Sequence, residues 1–346
     1  MPDLVIGGPP RGGDYFGQDH LIDEIWSHLK KDNVLLTAPR RFGKTGAMYQ
    51  LLDEPRNNFI PLYIDVEYIS SAAGFIVELI AMLIKQRRFL KLTTTAWSRT
   101  KKFGRFIRDI PGGIDFGGIK VEIREKTDVQ ENWLEYGEQI KSLLAKGDRP
   151  LLLIIDEFPI MINNILNRDY EEAKQLLHWF RAARTAPDTK TRFVVGGSIN
   201  LASTLEYRGL IDAINDLVVI KVQPFSEETA GQYIEAVFQS KGIELTKEVS
   251  QTILDVVGRP IPYLLVVLLD AVFSKLKISK CDVTPGLVRD VFDNELLEGS
   301  TSAAFQHYRS RIDQYYLDLE ARAAKEILGI LSRAEQPVKK DTLYQV

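Results

Sequence analysis

The chain has one cysteine, Cys281, among 346 residues, and a single thiol excludes an intramolecular disulfide. That usage is typical of a reducing cytosol, so we expect a cytoplasmic protein in which Cys281 is a passive small residue. The first residues, Met1 to Gly8, contain no basic stretch followed by a long apolar run, and therefore no signal peptide is indicated. The longest apolar runs, such as Leu264 to Leu269, are far shorter than the roughly 20 residues of a spanning helix.

A strong excess of one charge is also missing. The 44 Lys and Arg residues nearly balance the 47 Asp and Glu residues, for a net charge of −3. The chain-wide charge therefore gives no reason to expect a nucleic acid partner, although basic pairs such as Arg87-Arg88 and Lys101-Lys102 leave a local patch open. A content of 45% hydrophobic and 26% charged residues suits a globular protein of two or three domains.

The most specific motif runs from Ala38 to Thr45 and reads Ala-Pro-Arg-Arg-Phe-Gly-Lys-Thr. It fits the phosphate-binding pattern G-x-x-x-x-G-K-[ST] at every defining position except the first, where Ala38 replaces glycine. Residues 33–37 predict a short buried strand before the loop, and residues 46–52 predict a helix after it. Backbone N–H groups of such a loop converge on a polyphosphate. The motif predicts a nucleotide site; the alternative is an ordinary strand-to-helix loop.

Individual residues of this loop have expected roles. Lys44 is expected to reach the outer phosphates, and the Thr45 hydroxyl to ligate Mg²⁺. Ala38 is tolerated if its position needs no positive φ. Arg40 and Arg41 are unusual in such a loop. They could line the nucleotide entrance or pair with acids on a partner, and the sequence does not choose between these roles. The candidate nucleotide-binding residues of the loop are Pro39, Arg40, Arg41, Phe42, Gly43, Lys44, Thr45 and Gly46.

A second motif ends in two acids. Five apolar residues, 151–155, precede Asp156 and Glu157, and such a run predicts a central parallel strand covered on both faces. Acids at its carboxyl end lie in the crevice where open α/β sheets bind ligands. We expect Asp156 to hold the Mg²⁺ shell and Glu157 to orient and deprotonate the attacking water. Alone, the pair would be interpreted as the cap of the next helix; with the phosphate loop, it predicts a nucleotide-hydrolysing site.

The first 222 residues alternate strand and helix, which predicts a three-layer α/β core with a parallel sheet. Residues 91–130 lack a sheet period and are interpreted as an insertion, in which the alternation of residues 120–124 predicts an exposed hairpin strand. A further strand is expected at residues 191–200. Its polar tip supplies two candidate catalytic residues between the acids and the γ-phosphate, Ser198 first and Asn200 second. A helix cap is an equal alternative for Ser198.

The pattern changes after residue 222. Residues 223–300 are predicted to be a helical lid, with caps at Ser226 and Thr246 and a break at Gly258-Arg259-Pro260. Residues 301–346 are helical, then turn, then helical again, which is how a winged-helix domain begins. The expected fold is therefore a P-loop NTPase core over residues 1–222, followed by the lid and by an incomplete winged-helix-like domain.

The ordered set of motifs resembles the archaeal and bacterial ATPase family in the STAND class of AAA+-related P-loop proteins, relatives of the origin-recognition ATPases. The resemblance spans nearly the whole chain. Beside the phosphate loop and the acid-bearing strand, it is carried by residues Tyr15 to Gln18, Gly197 to Asn200, Gln223 to Phe225, Gly258 to Pro260, and Phe305 to Tyr308.

The resemblance implies ATP or ADP with Mg²⁺ as ligands, and three further contacts to the nucleotide. Phe16 would lie near the adenine, with an apolar staple for the following helix as an equal alternative. Pro260 would approach the base, and Arg259 would reach the phosphates as a lid sensor; for Arg259 a plain helix stop and restart is the preferred alternative. Gln18-Asp19 replaces the Arg-Glu of the family, so an ion pair from that arginine is in doubt.

The sequence does not single out an arginine that stabilises the transition state. Arg181, Arg184 and Arg208 are candidates by position, and each is otherwise expected to be a solvated surface arginine.

Three functions remain open: a nucleotide-controlled regulatory switch, an ATPase that acts on duplex DNA through the C-terminal helices and the basic insertion, and a scaffold that hydrolyses little. The intact acid pair argues against the scaffold, and we expect the switch. Partners beyond the nucleotide are left open as duplex DNA, a protein or a second copy; no membrane partner is expected.

Overall fold

The computed structural model describes residues 2–85, 116–146, 149–187, 189–197, 201–297, 312, 318–334 and 336–343. Two compact units divide the chain. The first contains Met1–Ile243 with Arg259–Tyr263, and the second contains Glu244–Gly258 with Leu264–Val346. None of the helices in these described ranges is long and apolar enough to cross a membrane.

The first unit is built on a five-stranded sheet in the order β2-β3-β4-β1-β5, and every pairing is parallel. The strands are β1 Asn33–Thr37, β2 Ile60–Asp65, β3 Leu151–Asp156, β4 Arg192–Gly197 and β5 Leu217–Lys221. Because strand and helix alternate along the chain, each connection crosses over a face of the sheet. The α/β fold class with a parallel sheet is confirmed.

Helices cover the sheet. In the described residues of the first unit, the helices are α1 Asp19–His28, α2 Lys44–Asp53, α3 Ala72–Lys85, α4 Phe116–Lys126, α5 Trp133–Lys146, α6 Phe158–Arg168, α7 Tyr170–Arg184, α8 Leu201–Tyr207 and α9 Glu227–Lys241. The helix α6, directly after the acid pair, was not assigned from the sequence. Short 3₁₀ turns occupy Gly12–Asp14 and Ile211–Ile214.

Two hydrophobic clusters lie on opposite faces of the sheet, as three layers require. The acid-bearing strand β3 is buried throughout and serves both: Leu151, Leu153 and Ile155 face one cluster, which includes α3 and α7. Leu152 and Ile154 face the other, which includes α1 and α2. A strand that is apolar at every position is therefore central, as its sequence predicted.

The second unit is helical in its described residues. Its elements are α10 Lys247–Val257, α11 Pro262–Ser279 (which begins in the first unit), α12 Pro285–Asp290, the π-helix Val291–Leu297, α13 Asp318–Arg333 and α14 Lys340–Leu343. The predicted cap at Thr246 is present, since its hydroxyl accepts the Val249 N–H at 3.3 Å. The cap at Ser226, in the first unit, accepts the Thr229 N–H at 3.0 Å. Residues 318–343 keep the helix, turn and helix order, and the winged helix stays a prediction.

The predicted hairpin strand at residues 120–124 is wrong, because the segment belongs to helix α4. Ile119 and Ile123 are spaced one helical turn apart, and both are buried in the first cluster with exposures of 5% and 0%. Lys120 also donates to the buried Glu78 carboxylate of α3 at 2.8 Å. The five alternating residues fitted a strand by themselves, but Ile119, one residue earlier, supplies the helical period that buries an apolar stripe.

Arg184 is not a solvated surface arginine, contrary to the expectation from its position. Its side chain is fully buried at the end of α7, where Nε and Nη2 donate to the two Asp216 carboxylate oxygens at 2.9 and 2.8 Å. Nη2 also donates to the Ala213 carbonyl at 2.8 Å. Because the Arg184 guanidinium is buried and paired with Asp216 inside the first unit, it cannot reach a site on another molecule. We therefore remove Arg184 from the candidates for catalysis in trans.

Replacing Arg184 with Ala is expected to destabilise the first unit by about 3–5 kcal/mol, because the Asp216 carboxylate, only 14% exposed, then loses the fully buried partner of its charge. The free energy of unfolding in urea measures this loss. Arg181→Ala is the matched control on the same helix, since Arg181 is only half-buried. Equal stability of both variants would contradict the structural role assigned to Arg184.

Candidate functional site

The phosphate loop connects β1 to α2, as the sequence predicted, and its backbone has two left-handed positions. These are Arg41 with φ of 71° and Gly43 with φ of 94°. Ala38 does not adopt a positive φ, so alanine is accommodated at the first position of the motif without backbone strain. Arginine in the left-handed region is strained, and the side chain of Arg41 is accordingly held by a close neighbour, described below.

Lys44 begins α2 and reaches the acids that end β3, although β4 separates β1 from β3. The crossing depends on Gly196 of β4. A Cβ atom there would lie 3.2 Å from Lys44 Cδ and would overlap Met48. At the next position, a Cβ on Gly197 would overlap the ring of Pro159 in α6. Two glycines in a central strand thus make room for the lysine and for the helix that follows the acids.

Four side chains converge at this end of the sheet. The Thr45 hydroxyl donates to Asp156 Oδ2 at 2.7 Å. Lys44 Nζ lies 3.9 Å from Asp156 Oδ1 and 3.4 Å from Glu157 Oε1. Lys44 and Asp156 are nearly inaccessible, with exposures of 5% and 2%. The structure therefore brings together the lysine, hydroxyl and two carboxylates that the sequence assigned to one site.

Glu157 occupies the N-cap position of α6, yet its side chain makes no capping hydrogen bond. Its backbone is left-handed, with φ of 55°, and the carboxylate points instead to Lys44. The backbone N–H of Glu157 donates to Asp156 Oδ1 at 2.9 Å. The helix-cap interpretation of the acid pair is therefore wrong for the Glu157 side chain, and the strained backbone aims that carboxylate into the site.

Burial controls the electrostatics of the acids. Desolvation raises the pKa of Asp156, while the Lys44 ammonium and the Thr45 hydroxyl lower it in part. Asp65, paired with Asp156 in register across β2 and β3, also has its pKa raised, first by partial burial. Glu157 adds to that shift by charge repulsion. The site therefore concentrates negative charge that one lysine only partly offsets, and a cation would bind favourably.

The donor set fits Mg²⁺ bound together with a nucleotide. Among the described residues, no group of three or more His, Cys, Asp or Glu side chains could cage a metal. Mg²⁺ needs no such cage, because it keeps several waters and takes one or two carboxylates plus phosphate oxygens. Thr45 and Asp156 would hold the ion, which supplies charge neutralisation at the phosphates.

The residues predicted to contact the base lie in one aromatic cluster of the first unit. The Phe16 ring packs against Tyr233 of α9 with centroids 5.4 Å apart, and Tyr233 packs against Phe225 at 5.8 Å. The Phe225 N–H donates to the Pro260 carbonyl at 3.1 Å. Phe16 and Pro260 are thus connected through Tyr233 and Phe225, by two ring contacts and one backbone hydrogen bond. Arg259 beside them is exposed.

Of the two loop arginines, Arg41 has a defined partner. Its guanidinium lies over the Tyr263 ring, 3.7 Å from the centroid, in a cation–π contact. Tyr263 is in the first turn of α11, three residues after Pro260. Arg40 is half-buried and Pro39 is exposed, whereas Phe42 and Gly46 are buried. Arg41 therefore contacts the first turn of the helix that follows the Gly-Arg-Pro motif.

Ser198 and Asn200 lie outside the described residues, as do Phe305 to Tyr308. The two remaining candidates for an arginine in trans are placed at the surface of the first unit. Arg208 is exposed, with its guanidinium 5.8 Å from the centroid of Tyr207. Arg181 is half-buried in the last turn of α7.

Several site residues escaped the sequence analysis. Gln18 is buried, accepts a hydrogen bond from the Tyr15 hydroxyl at 3.0 Å, and lies 3.4 Å from where a Cβ on Gly43 would be. Tyr63 of β2 donates to Asp156 Oδ2 at 3.4 Å. The Gly-Gly pair at the end of β4 was a visible signal, since glycine is unfavourable inside a strand. Gln18 belongs to the segment Tyr15 to Gln18 that carried the family resemblance, whereas Tyr63 had no signal of its own, because only the folded chain brings it to the site.

No family model matches the chain, and no curated protein matches it. Solved structures do. A Walker-type ATPase of Pyrococcus abyssi has a TM-score of 0.57 at 16% identity, over 99% of this chain and 91% of that one. The ORC2 protein of Aeropyrum pernix, solved in ADPNP–ADP complexes, has a TM-score of 0.51 at 11% identity, over 83% and 69%. At such identities the likeness shows the fold alone, which is the α/β fold with a parallel sheet that P-loop NTPases have.

Proposed function

We propose that this protein is a Mg²⁺-dependent ATPase of the STAND type whose ATP cycle acts as a regulatory switch. Lys44 and the loop amides bind the phosphates, Thr45 and Asp156 hold the metal, and Glu157 orients and deprotonates the water. Ser198 and Asn200 remain the proposed polar residues beside the γ-phosphate. The domain boundaries proposed from the sequence, with a lid at 223–300 and a winged-helix-like end at 301–346, belong to the same proposal.

The observation that carries the proposal is the convergence of Lys44 and Thr45, at the start of α2, with Asp156 and Glu157, at the end of β3. Lys44 to Glu157 Oε1 is 3.4 Å and Thr45 to Asp156 Oδ2 is 2.7 Å. A site that only bound nucleotide would need the lysine and the loop amides. The second acid, held in a left-handed conformation and not used as a cap, is required only when a water must be activated.

The switch is favoured by the contact between Arg41 and Tyr263. The arginine is three residues before the phosphate-binding lysine, and the tyrosine begins α11, the helix that continues into the second unit. Phosphate in the loop changes the charge around Arg41, so ATP and ADP have different interaction energies with this contact. A difference of that kind is what allows a nucleotide to shift a conformational equilibrium.

The alternative proposal, an ATPase that contacts duplex DNA, loses one of its supports. It relied partly on the basic, Gly-rich insertion at 101–124, in which residues 120–124 were expected to form an exposed hairpin strand. Lys120 is instead part of α4 and pairs with the buried Glu78. A binding constant that falls steeply with added salt would support backbone contact by other residues, and no binding at low salt would count against it.

The test is to identify the nucleotide released when the purified protein is denatured. The switch predicts near-stoichiometric ADP, because a switch holds its product until exchange is triggered. An empty site with rapid turnover of added ATP would overturn the switch and keep the ATPase. An empty site that also fails to bind ATP would overturn both.

The matched control is the Lys44→Ala protein, purified in the same way. It should release no nucleotide, because the site has lost its phosphate-binding charge. Equal amounts of ADP from both proteins would mean that the nucleotide is carried elsewhere on the chain.

A further inference from the structure

Among the described residues, the Asp156 carboxylate has three hydrogen-bond donors, and only two come from the motifs. The Thr45 hydroxyl donates to Oδ2, and the Glu157 N–H donates to Oδ1. The third is the Tyr63 hydroxyl, which donates to Oδ2 at 3.4 Å. Tyr63 is on β2, the edge strand paired with β3, and its register partner is Ile154. Its side chain therefore reaches the acid two residues further along the neighbouring strand.

The Tyr63 ring is itself held from the side of α2. It packs against the Tyr49 ring with centroids 5.0 Å apart. The guanidinium of Arg11 lies 4.8 Å from the Tyr49 centroid and is fixed by two 2.7 Å hydrogen bonds to Asp53, one helical turn further along α2. An aromatic pair with a cation on its outer ring is a directional arrangement. It limits the positions that the Tyr63 hydroxyl can take.

The hydroxyl also stays a donor at neutral pH. The ordinary pKa of a tyrosine hydroxyl is about 10, so Tyr63 keeps its proton there. A phenol that keeps its proton presents a hydrogen, not a negative charge, to the carboxylate. The contact is thus attractive as long as Asp156 is ionised.

We infer that Tyr63 is a positioning residue for Asp156. By orienting that carboxylate, Tyr63 sets the affinity of the nucleotide-loaded site for Mg²⁺. The inference rests on the proposed function, since it concerns the same site. Residues that hydrogen-bond to a ligating side chain orient it and tune its affinity for the metal. Tyr63 contacts neither the phosphate loop backbone nor Lys44 in any hydrogen bond of the described residues, so its effect should be confined to the metal.

The experiment measures release of a fluorescent ADP analogue at increasing Mg²⁺ concentration for the wild type, Tyr63→Phe and Tyr207→Phe. In Tyr63→Phe only the hydroxyl is removed, and the ring against Tyr49 remains. The half-saturating Mg²⁺ concentration is expected to rise about tenfold. Affinity for the analogue in EDTA and the melting temperature should match those of the wild type.

Tyr207→Phe is the matched control, because it removes the same hydroxyl from a ring that is 87% exposed at the end of α8 and should respond to Mg²⁺ like the wild type. An unchanged Mg²⁺ response in Tyr63→Phe would overturn the inference alone. If Tyr63→Phe loses the same amount of affinity for the analogue in EDTA as in Mg²⁺, the inference is also overturned, because such a loss indicates a general structural role. Wild-type release that does not respond to Mg²⁺ would contradict the proposed function as well.

Discussion

Replacing Glu157 with Gln is expected to leave ATP binding intact and to lower turnover by about 10²–10⁴-fold. The amide keeps the size of the side chain and can still accept a hydrogen bond from Lys44, which lies 3.4 Å from the carboxylate. It cannot take a proton from water. Calorimetric titration with ATP and a phosphate-release assay measure the two quantities separately.

The control for this substitution is Glu24→Gln, which makes the same chemical change at an exposed position of α1. Turnover of that variant should equal the wild-type value. If Glu157→Gln also retains wild-type turnover, Glu157 is not the base and the left-handed backbone at position 157 has another cause. Loss of ATP binding in Glu157→Gln would place the residue among the binding groups instead.

The second large effect is expected for Lys44→Ala, which should weaken ATP binding itself. Lys44 is 5% exposed, and its ammonium is the charged group placed to meet the outer phosphates. Charge-assisted hydrogen bonds contribute about 1.5–3 kcal/mol each. Loss of about 3 kcal/mol corresponds to a decrease in affinity of roughly 10²-fold. Titration calorimetry of the nucleotide-free protein measures this directly.

Lys31→Ala is the matched control, since it removes an exposed lysine just before β1. Because the acids lose their cationic neighbour in Lys44→Ala, thermal unfolding must first show that the variant is folded. A folded Lys44→Ala protein with the ATP affinity of the wild type would refute the phosphate-binding role of the loop.

Strand β3 shows what could be predicted from local sequence. Five apolar residues buried on both faces and followed by an acid pair have few structural solutions, and a central parallel strand is the simplest of them. The phosphate loop is similar, because its glycine and lysine have specific backbone and charge requirements. In contrast, the α4 helix was missed. Its alternating residues fit a strand and a helix equally well, and only the packing of Ile119 and Ile123 against α3 decided between them.

Arg184 and Tyr63 show what local sequence cannot contain. An arginine in the last turn of a helix is ordinarily solvated, and nothing near position 184 indicates that Asp216 will meet it across the fold. Tyr63 is one aromatic residue in an edge strand until β2 pairs with β3 and brings its hydroxyl to Asp156. Both depend on contacts between residues distant in the chain.

The sequence by itself determined the class of this protein: an alternating α/β core, a phosphate loop at 38–45 and an acid pair after a buried strand. These are local requirements of backbone geometry, hydrophobic period and charge. Only the tertiary structure decided the strand order, which places β4 and its Gly196 between the lysine and the acids, and turned the Glu157 side chain away from the helix cap. The physical reason is that the site is assembled from three non-adjacent segments, whose distances depend on how the sheet is paired.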